Sequence, residues 1–438
     1  MFLYCNIEKV ESVMGAMFLA LVIFGFTYVM IMTEWINKTT ASLLGAFLII
    51  VLRIVDQDSA FRIVDWNVIF LLIGMMIVMG ILRETGVFQW VAIKTAKLAK
   101  ASPLRIMLMM FAVTALISAF LDNVTTVMIL VPIAILIANE LKITPVPFII
   151  TMAIASNIGG TATMIGDPPN ILIGSATQYS FMDFMFNLSP VIIIITIVSL
   201  GITWLLYRKG MKVSNTARAN LMSYREDNLI ANRKLLYRSL VVVFLMLAAF
   251  MLQDRLHLKI ATIAMLTAVI LLIFSNRKKV DHVLTKDIDW STIFFFIGLF
   301  IIVEALQQTG FIALVSNSII TLSHNDLKTT SMIVLWISGV FSAIIDNIPF
   351  VTTMIPMIQN IGTHFSGHAM DPVWWSLSLG ACLGGNGTLI GASANIVSVG
   401  IAHKNGYKLS FWDFTKLGVI YTLSSLVIST AYILLRYF

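Results

Sequence analysis

The sequence predicts an all-α polytopic membrane protein made of two inverted repeats. Three observations carry that expectation. Hydrophobic residues make up 59% of the 438 and charged residues 12%, with a mean hydropathy of +0.93; a soluble domain has about 45–50% and about 25%. Apolar runs recur at about 20 residues, the length that crosses roughly 30 Å of hydrocarbon, where a membrane β-barrel would show alternating segments of about ten. Finally, two long stretches of the chain match each other in register.

The first apolar run, Val13 to Met32, has no basic leader and no small-residue cleavage site, so it reads as a retained span. Full crossings are expected at 13–33, 40–56, 66–82, 147–177 and 190–207, then at 239–253, 260–275, 291–306, 373–402 and 417–435. Segments 104–140 and 330–357 read as re-entrant hairpins. This assignment puts 22 of the 29 basic residues on one side, Lys38 and the segment 208–238 among them. By the positive-inside rule that side is cytoplasmic, which leaves both termini outside the plasma (inner) membrane. The +7 net charge then reports orientation, so a lipid bilayer is the expected partner and nucleic acid is not. The stretch Val87 to Lys100, apolar at Val87, Trp90, Val91 and Leu98, reads as an amphipathic interfacial helix. Cys5 and Cys382 are too far apart in sequence to suggest a disulfide or metal framework, and no cofactor motif is present.

The internal match is specific. "DWNVIFLLIGMMIVMGILRETG" from Asp65 and "DWSTIFFFIGLFIIVEALQQTG" from Asp289 share ten of 22 positions at an offset of 224. "SAFLDNVTTVMILVP" from Ser118 and "SAIIDNIPFVTTMIP" from Ser342 keep that offset. "FMDF" at Phe181 is echoed by "FWDF" at Phe411. Repeat 1 is expected at 1–207 and repeat 2 at 239–438, joined by a basic linker at 208–238. Each copy holds five crossings and one hairpin; the odd number inverts the second copy. Inverted repeats of this kind mark secondary transporters, with the site where the copies meet near the midplane.

Candidate site residues fall in two kinds of element. The hairpin arms, 106–121 and 124–138, are 16 and 15 residues long and reach about 24 Å, short of a crossing. Their tip carries Asp122 and Asn123, with Thr125 one turn on; the second copy carries Asp346 and Asn347. Two ordinary spans with a polar turn are the competing reading. The broken helices are "SNIGGTATMIGDPPNILIG" from Ser156 and "LGGNGTLIGASANIVSVG" from Leu383. Glycine pairs weaken a helix and prolines remove donors, so irregular backbone is expected from Thr161 to Asp167. At membrane depth such backbone is tolerated only when buried in protein or lining a cavity. Gly159, Gly160, Thr161, Thr163, Asp167 and Asn170 are the candidates in the first break. Gly384, Gly385, Asn386, Thr388, Ser393 and Asn395 are those in the second. Intramembrane carboxylates usually mark ion paths or proton relays. Asp122 and Asp346 are therefore candidate proton or Na⁺ sites, the latter with help from Asn123 and Asn347. Asp167 is an unpaired extra, since Ala392 stands at its place in copy two. Glu304 reads either as a second proton carrier or as an outer residue that reaches water.

"LDNVTTVMILVPI" followed by "SNIGGTATMIGDPPNIL" resembles the arsenite pump (ArsB-type)/melanosomal P protein branch of the ion transporter superfamily. That superfamily also holds NhaD-type Na⁺/H⁺ antiporters and divalent-anion symporters. The resemblance implies a homodimer, with scaffold helices near the start of each repeat. It also implies hairpins and broken helices that move together as an elevator-type transport domain. Its best substrate expectation is arsenite or antimonite efflux in exchange for protons. Na⁺/H⁺ antiport and Na⁺- or H⁺-coupled di- or tricarboxylate symport are the alternatives. The Asp-Asn tips differ from the Ser-Asn-Thr tips of the related symporters, which favours proton or cation exchange. No catalytic residue is expected.

Overall fold

The computed structural model describes residues 2–33, 35–210, 213–223, 229–275, 277–365 and 370–438. Lys212 and Arg225 of the linker, and the side chains of Cys5, Lys9, Arg277 and Lys278, lie outside the described residues. Among the described residues there are 22 α-helices and no strand. The first half runs α1 (Phe2–Thr33), α2 (Lys38–Val51), α3 (Gln57–Arg62), α4 (Trp66–Glu84), α5 (Val87–Leu98), α6 (Pro103–Ser118), α7 (Asn123–Glu140), α8 (Val146–Gly160), α9 (Pro168–Thr177) and α10 (Phe181–Tyr207). The short α11 (Asn215–Ser223) lies in the linker. The second half runs α12 (Arg233–Met251), α13 (Gln253–Leu256), α14 (Ile260–Phe274), α15 (Arg277–His282), a π-turn at Val283–Asp287, α16 (Trp290–Gln308), α17 (Phe311–Leu322), α18 (Leu327–Ile344), α19 (Asn347–Gly362), α20 (Asp371–Gly384), α21 (Ser393–Lys404) and α22 (Phe411–Tyr437). Among the described residues eight helices are long and apolar enough to cross a membrane: α1 from Met14, α4, α7, α10, α12, α16, α18 and α22.

The order α4 to α9 recurs as α16 to α21. Helix pairs from the two halves interlock, with α2 packed on α16 and α14 packed on α4. α8 and α20 are the most enclosed elements: every residue from Phe148 to Gly160 and from Pro372 to Gly384 is buried. An apolar helix surrounded by protein on all sides has no polar face.

Several boundaries differ from expectation, each for a local reason. α2 stops at Val51 rather than 56, because Arg53 takes a left-handed turn (φ 55°) and Asp56 caps α3. α10 begins at Phe181, well before 190, because Ser180 and Asp183 form a reciprocal capping box; Ser410 and Asp413 do the same for α22. Pro190 is carried inside α10. In the first hairpin α6 has the expected 16 residues and α7 has 18 rather than 15; in the second, α18 has 18 and α19 has 16. α5 turns the opposite face inward. It buries Phe88, Ala92, Ile93 and Ala96 against α6 and α7 and leaves Leu98 64% exposed. In a membrane protein the small-residue face permits close packing, and the large apolar face needs no burial.

Candidate functional site

The helix break after α8 is not made by its glycines. α8 runs helically through Gly159 and Gly160, and the irregular backbone is 161–167. The glycines serve packing instead. A Cβ on Gly159 would collide with the backbone of Ala115 on α6, and one on Gly384 would lie 2.5 Å from the carbonyl oxygen of Gly339 on α18. These are equivalent contacts in the two halves, and only glycine permits them. Pro168 and Pro169 sit in the first turn of α9, where a missing N–H costs nothing. They start the second helix rather than end the first.

Both breaks are tied by an equivalent asparagine. Asn170 Nδ2 donates to the carbonyl oxygens of Thr161 (3.1 Å) and Thr163 (2.9 Å). Asn395 Nδ2 donates to those of Gly385 (2.8 Å) and Thr388 (2.9 Å). The Thr163 hydroxyl donates to the Ala119 carbonyl, and the Thr388 hydroxyl to that of Ala343 at 2.5 Å. The Thr161 hydroxyl returns to Asn157 O at 2.7 Å. Thr161, Thr163 and Thr388, expected as ligands, thus spend their protons on the main chain. A carboxamide or hydroxyl that satisfies two turns of irregular buried backbone is what lets that backbone exist away from water.

The hairpin tips dock on these loops. Asn123 N–H donates to Gly166 O at 3.2 Å, and Asn347 N–H to Gly391 O at 3.3 Å. The second tip also reaches the first loop. Asn347 Nδ2 lies 3.4 Å and 3.5 Å from the two carboxylate oxygens of Asp167, which is fully buried. The unpaired aspartate of the sequence therefore stands between its own break and the other half's hairpin.

A buried amide cluster joins the halves. Asn123 Nδ2 donates to Asn157 Oδ1 (3.1 Å), while Asn157 Nδ2 donates to Asn386 Oδ1 (2.9 Å) and Asn395 Oδ1 (3.0 Å). On the other side Ser378 (2.6 Å) and Cys382 (3.6 Å) donate to Asn170 Oδ1. Asn157 and Cys382 occupy equivalent repeat positions and each crosses to the other half's asparagine. Asn123 Oδ1 and Asn386 Nδ2 are buried with no hydrogen-bond partner, so each has capacity for a ligand.

The two tip carboxylates differ. Asp122 is satisfied locally by Thr125, through its N–H (2.8 Å) and hydroxyl (2.7 Å). It borders a small space lined by Met75, Met76 and Met79. At the second tip Pro349 replaces Thr125 and offers neither donor. Asp346 caps Ile348 N–H (3.2 Å) with one oxygen. Its other oxygen accepts from Ser393 (2.6 Å) and from Lys38 Nζ (3.4 Å). Lys38 also donates to Ser393 Oγ at 2.7 Å. This corrects the reading of Lys38 as one more loop charge: it reaches a carboxylate buried to 7% exposure. Beside the pair lies a chamber of about 340 Å³ lined by Met32, Asn37, Ile344, Ile390 and Val397. Lys38, Asn157, Ser378 and Cys382 were not singled out from the sequence; Glu304 lies apart, in a cavity with Asp65 and Gln359.

A family model described as "Citrate transporter" (CitMHS) matches residues 28–380. An uncharacterized transporter of Mycobacterium tuberculosis is 40% identical over 424 residues, covering 96% of this chain and 98% of its own. The 46 kDa membrane protein of Mycobacterium leprae is 41% identical over the same coverage. The mouse P protein is 31% identical, covering 95% of this chain and 60% of its own length. The YdaH transporter of Alcanivorax borkumensis superposes with a TM-score of 0.60 at 12% identity, over 95% of this chain and 97% of that one, which shows a shared fold. The chain is therefore a transporter and not an enzyme, and it belongs to the citrate transporter (CitMHS) family of integral membrane proteins.

Proposed function

We propose that the protein is a cation-coupled secondary transporter whose ions are handled at Asp122, Asp167 and Asp346. The observation that carries this reading is charge. Three carboxylates gather at two helix breaks, and among the described residues one lysine is bonded to them. Such a site attracts protons or small cations and repels a free tricarboxylate. Its remaining groups are amides and hydroxyls, suited to a small hydroxylated solute. Efflux of arsenite or antimonite in exchange for protons is the leading assignment, and Na⁺/H⁺ exchange follows. Citrate-type symport is a second reading, favoured by the family model, and requires that the carboxylates be neutralised first. The recurrence of α4–α9 as α16–α21 supports inverted repeats; hairpins and broken helices that move together, in a homodimer, are what the family resemblance adds to this reading.

Reconstituted vesicles test this. A pH or Na⁺ gradient imposed on wild-type protein is expected to drive flux of arsenite, Na⁺ or citrate, and the three readings name different winners. Asp122→Asn and Asp346→Asn are each expected to abolish gradient-driven flux without loss of folded protein. Undiminished driven flux in both variants refutes the assignment.

A further inference from the structure

Lys38 opens α2, a helix packed on α16, whereas its partners Asp346 and Ser393 open α19 and α21. The ammonium is held from three directions. It donates to Ser393, pairs with Asp346, and lies 5.1 Å above the Phe295 ring of α16. It is still one-third exposed, toward the chamber beside it. Among the described residues Asp122 has no such device: Lys259 caps α14 but faces a separate pocket with Asn67, Ser175 and Gln253, and Pro168 stands where Ser393 does. Pro349 in place of Thr125 leaves the second Asp346 oxygen to partners from other elements. We infer that Lys38 is a tethered counter-cation for Asp346: it fills the carboxylate's coordination when no coupling cation is bound, and an ion entering by the chamber displaces it.

The consequence concerns the empty carrier. A buried carboxylate without a partner resists movement through a low-dielectric path, because breaking a buried pair leaves an uncompensated charge. With Lys38 in place the cation-free Asp346 is balanced, so the step of the cycle that runs without a coupling cation, the outward step of proton-coupled efflux among them, can proceed. Without it, the carrier can cycle only when a cation sits at Asp346 in both directions. The inference rests on the transport reading above and assigns the lysine to one step of it.

The test compares two flux modes in proteoliposomes, with whichever ion the wild type moves. For Lys38→Met, net flux down a gradient is expected to fall by about tenfold or more, as befits an unpaired buried charge. Exchange, with the same ion on both sides, is expected to stay within about twofold. Lys38→Arg is expected to restore net flux. The double variant Lys38→Met/Asp346→Asn removes both charges, and it is expected to regain net movement of the unloaded carrier while losing coupling. Net flux and exchange falling in step, with no rescue by Arg, mark Lys38 as merely structural and overturn the inference. Unchanged net flux in Lys38→Met overturns it as well. A wild type that moves none of the tested ions overturns the transport reading itself, and this inference with it.

Discussion

The two hairpin tips carry the same Asp-Asn pair and use it differently. At the first tip Thr125 satisfies Asp122 from within the same helix turn, in a setting of methionines. At the second, Pro349 cannot do so, and Asp346 recruits Ser393 and Lys38 from two other helices beside an open chamber. One residue position thus separates a self-contained carboxylate from one whose partners can be exchanged. The two halves keep backbone ties in common and differ in the side chains around each tip carboxylate.

The largest expected effect tests that difference directly. Asp346→Asn and Asp122→Asn are each expected to lower gradient-driven flux by about a hundredfold, the scale of ~3 kcal/mol at a buried ionic site. Only the Asp346 variant should respond when Lys38→Met is added. Equal behaviour of the two double variants breaks the comparison. Next in size is Asn157→Ala. It strands three amide partners, Asn123, Asn386 and Asn395, and at about 1–3 kcal/mol for a stranded group it is expected to cost roughly 3 kcal/mol in denaturant unfolding in detergent. Thr125→Val removes the hydroxyl bond to Asp122 but keeps the main-chain cap, for an expected loss of about 1 kcal/mol; the matching Pro349→Val should not disturb Asp346 in that way. The smallest effect lies at the outer ends of the hairpins. Asp326 caps α18 and its carboxyl is held below the ordinary range by the hydroxyl and N–H of Thr329, while Ser102 makes no side-chain cap on α6. A depressed carboxyl stabilises the fold above its unfolded pKa of about 3.9 and loses that contribution as pH falls through the folded value. Thr329→Val is expected to flatten the acid limb of the melting-temperature profile slightly, and Ser102→Ala to leave it alone.

The helical class and the recurring element order were legible in composition and in matching motifs. Tip and break residues were legible too, because Asp, Asn, Gly and Pro are out of place in apolar segments. What they do locally was less so. Gly159 reads as a helix breaker by propensity, yet close approach to α6 is its role, a tertiary fact. The "FMDF" echo was visible, but the serine before each copy and the reciprocal cap it makes were missed, and α10 was started late. Lys38 could not have been assigned: its partner lies 308 residues away, and a lysine at a helix start reads as surface charge. Asn157 left a fainter signal, a lone carboxamide in a helix buried on all sides. The repeat comparison hid it, since its counterpart is Cys382.

The amide cluster around Asn157 sets a boundary on motion. It stitches α7, α8, the break after α20 and α21 together, so separating them would strand several amides at once. On the transport reading proposed above, a stroke slides this block whole, along surfaces where sulfur and hydrocarbon face each other, as Met75 and Met79 do beside Asp122. Flexible thioethers tolerate such sliding because they refit to a shifted neighbour without breaking a directional bond.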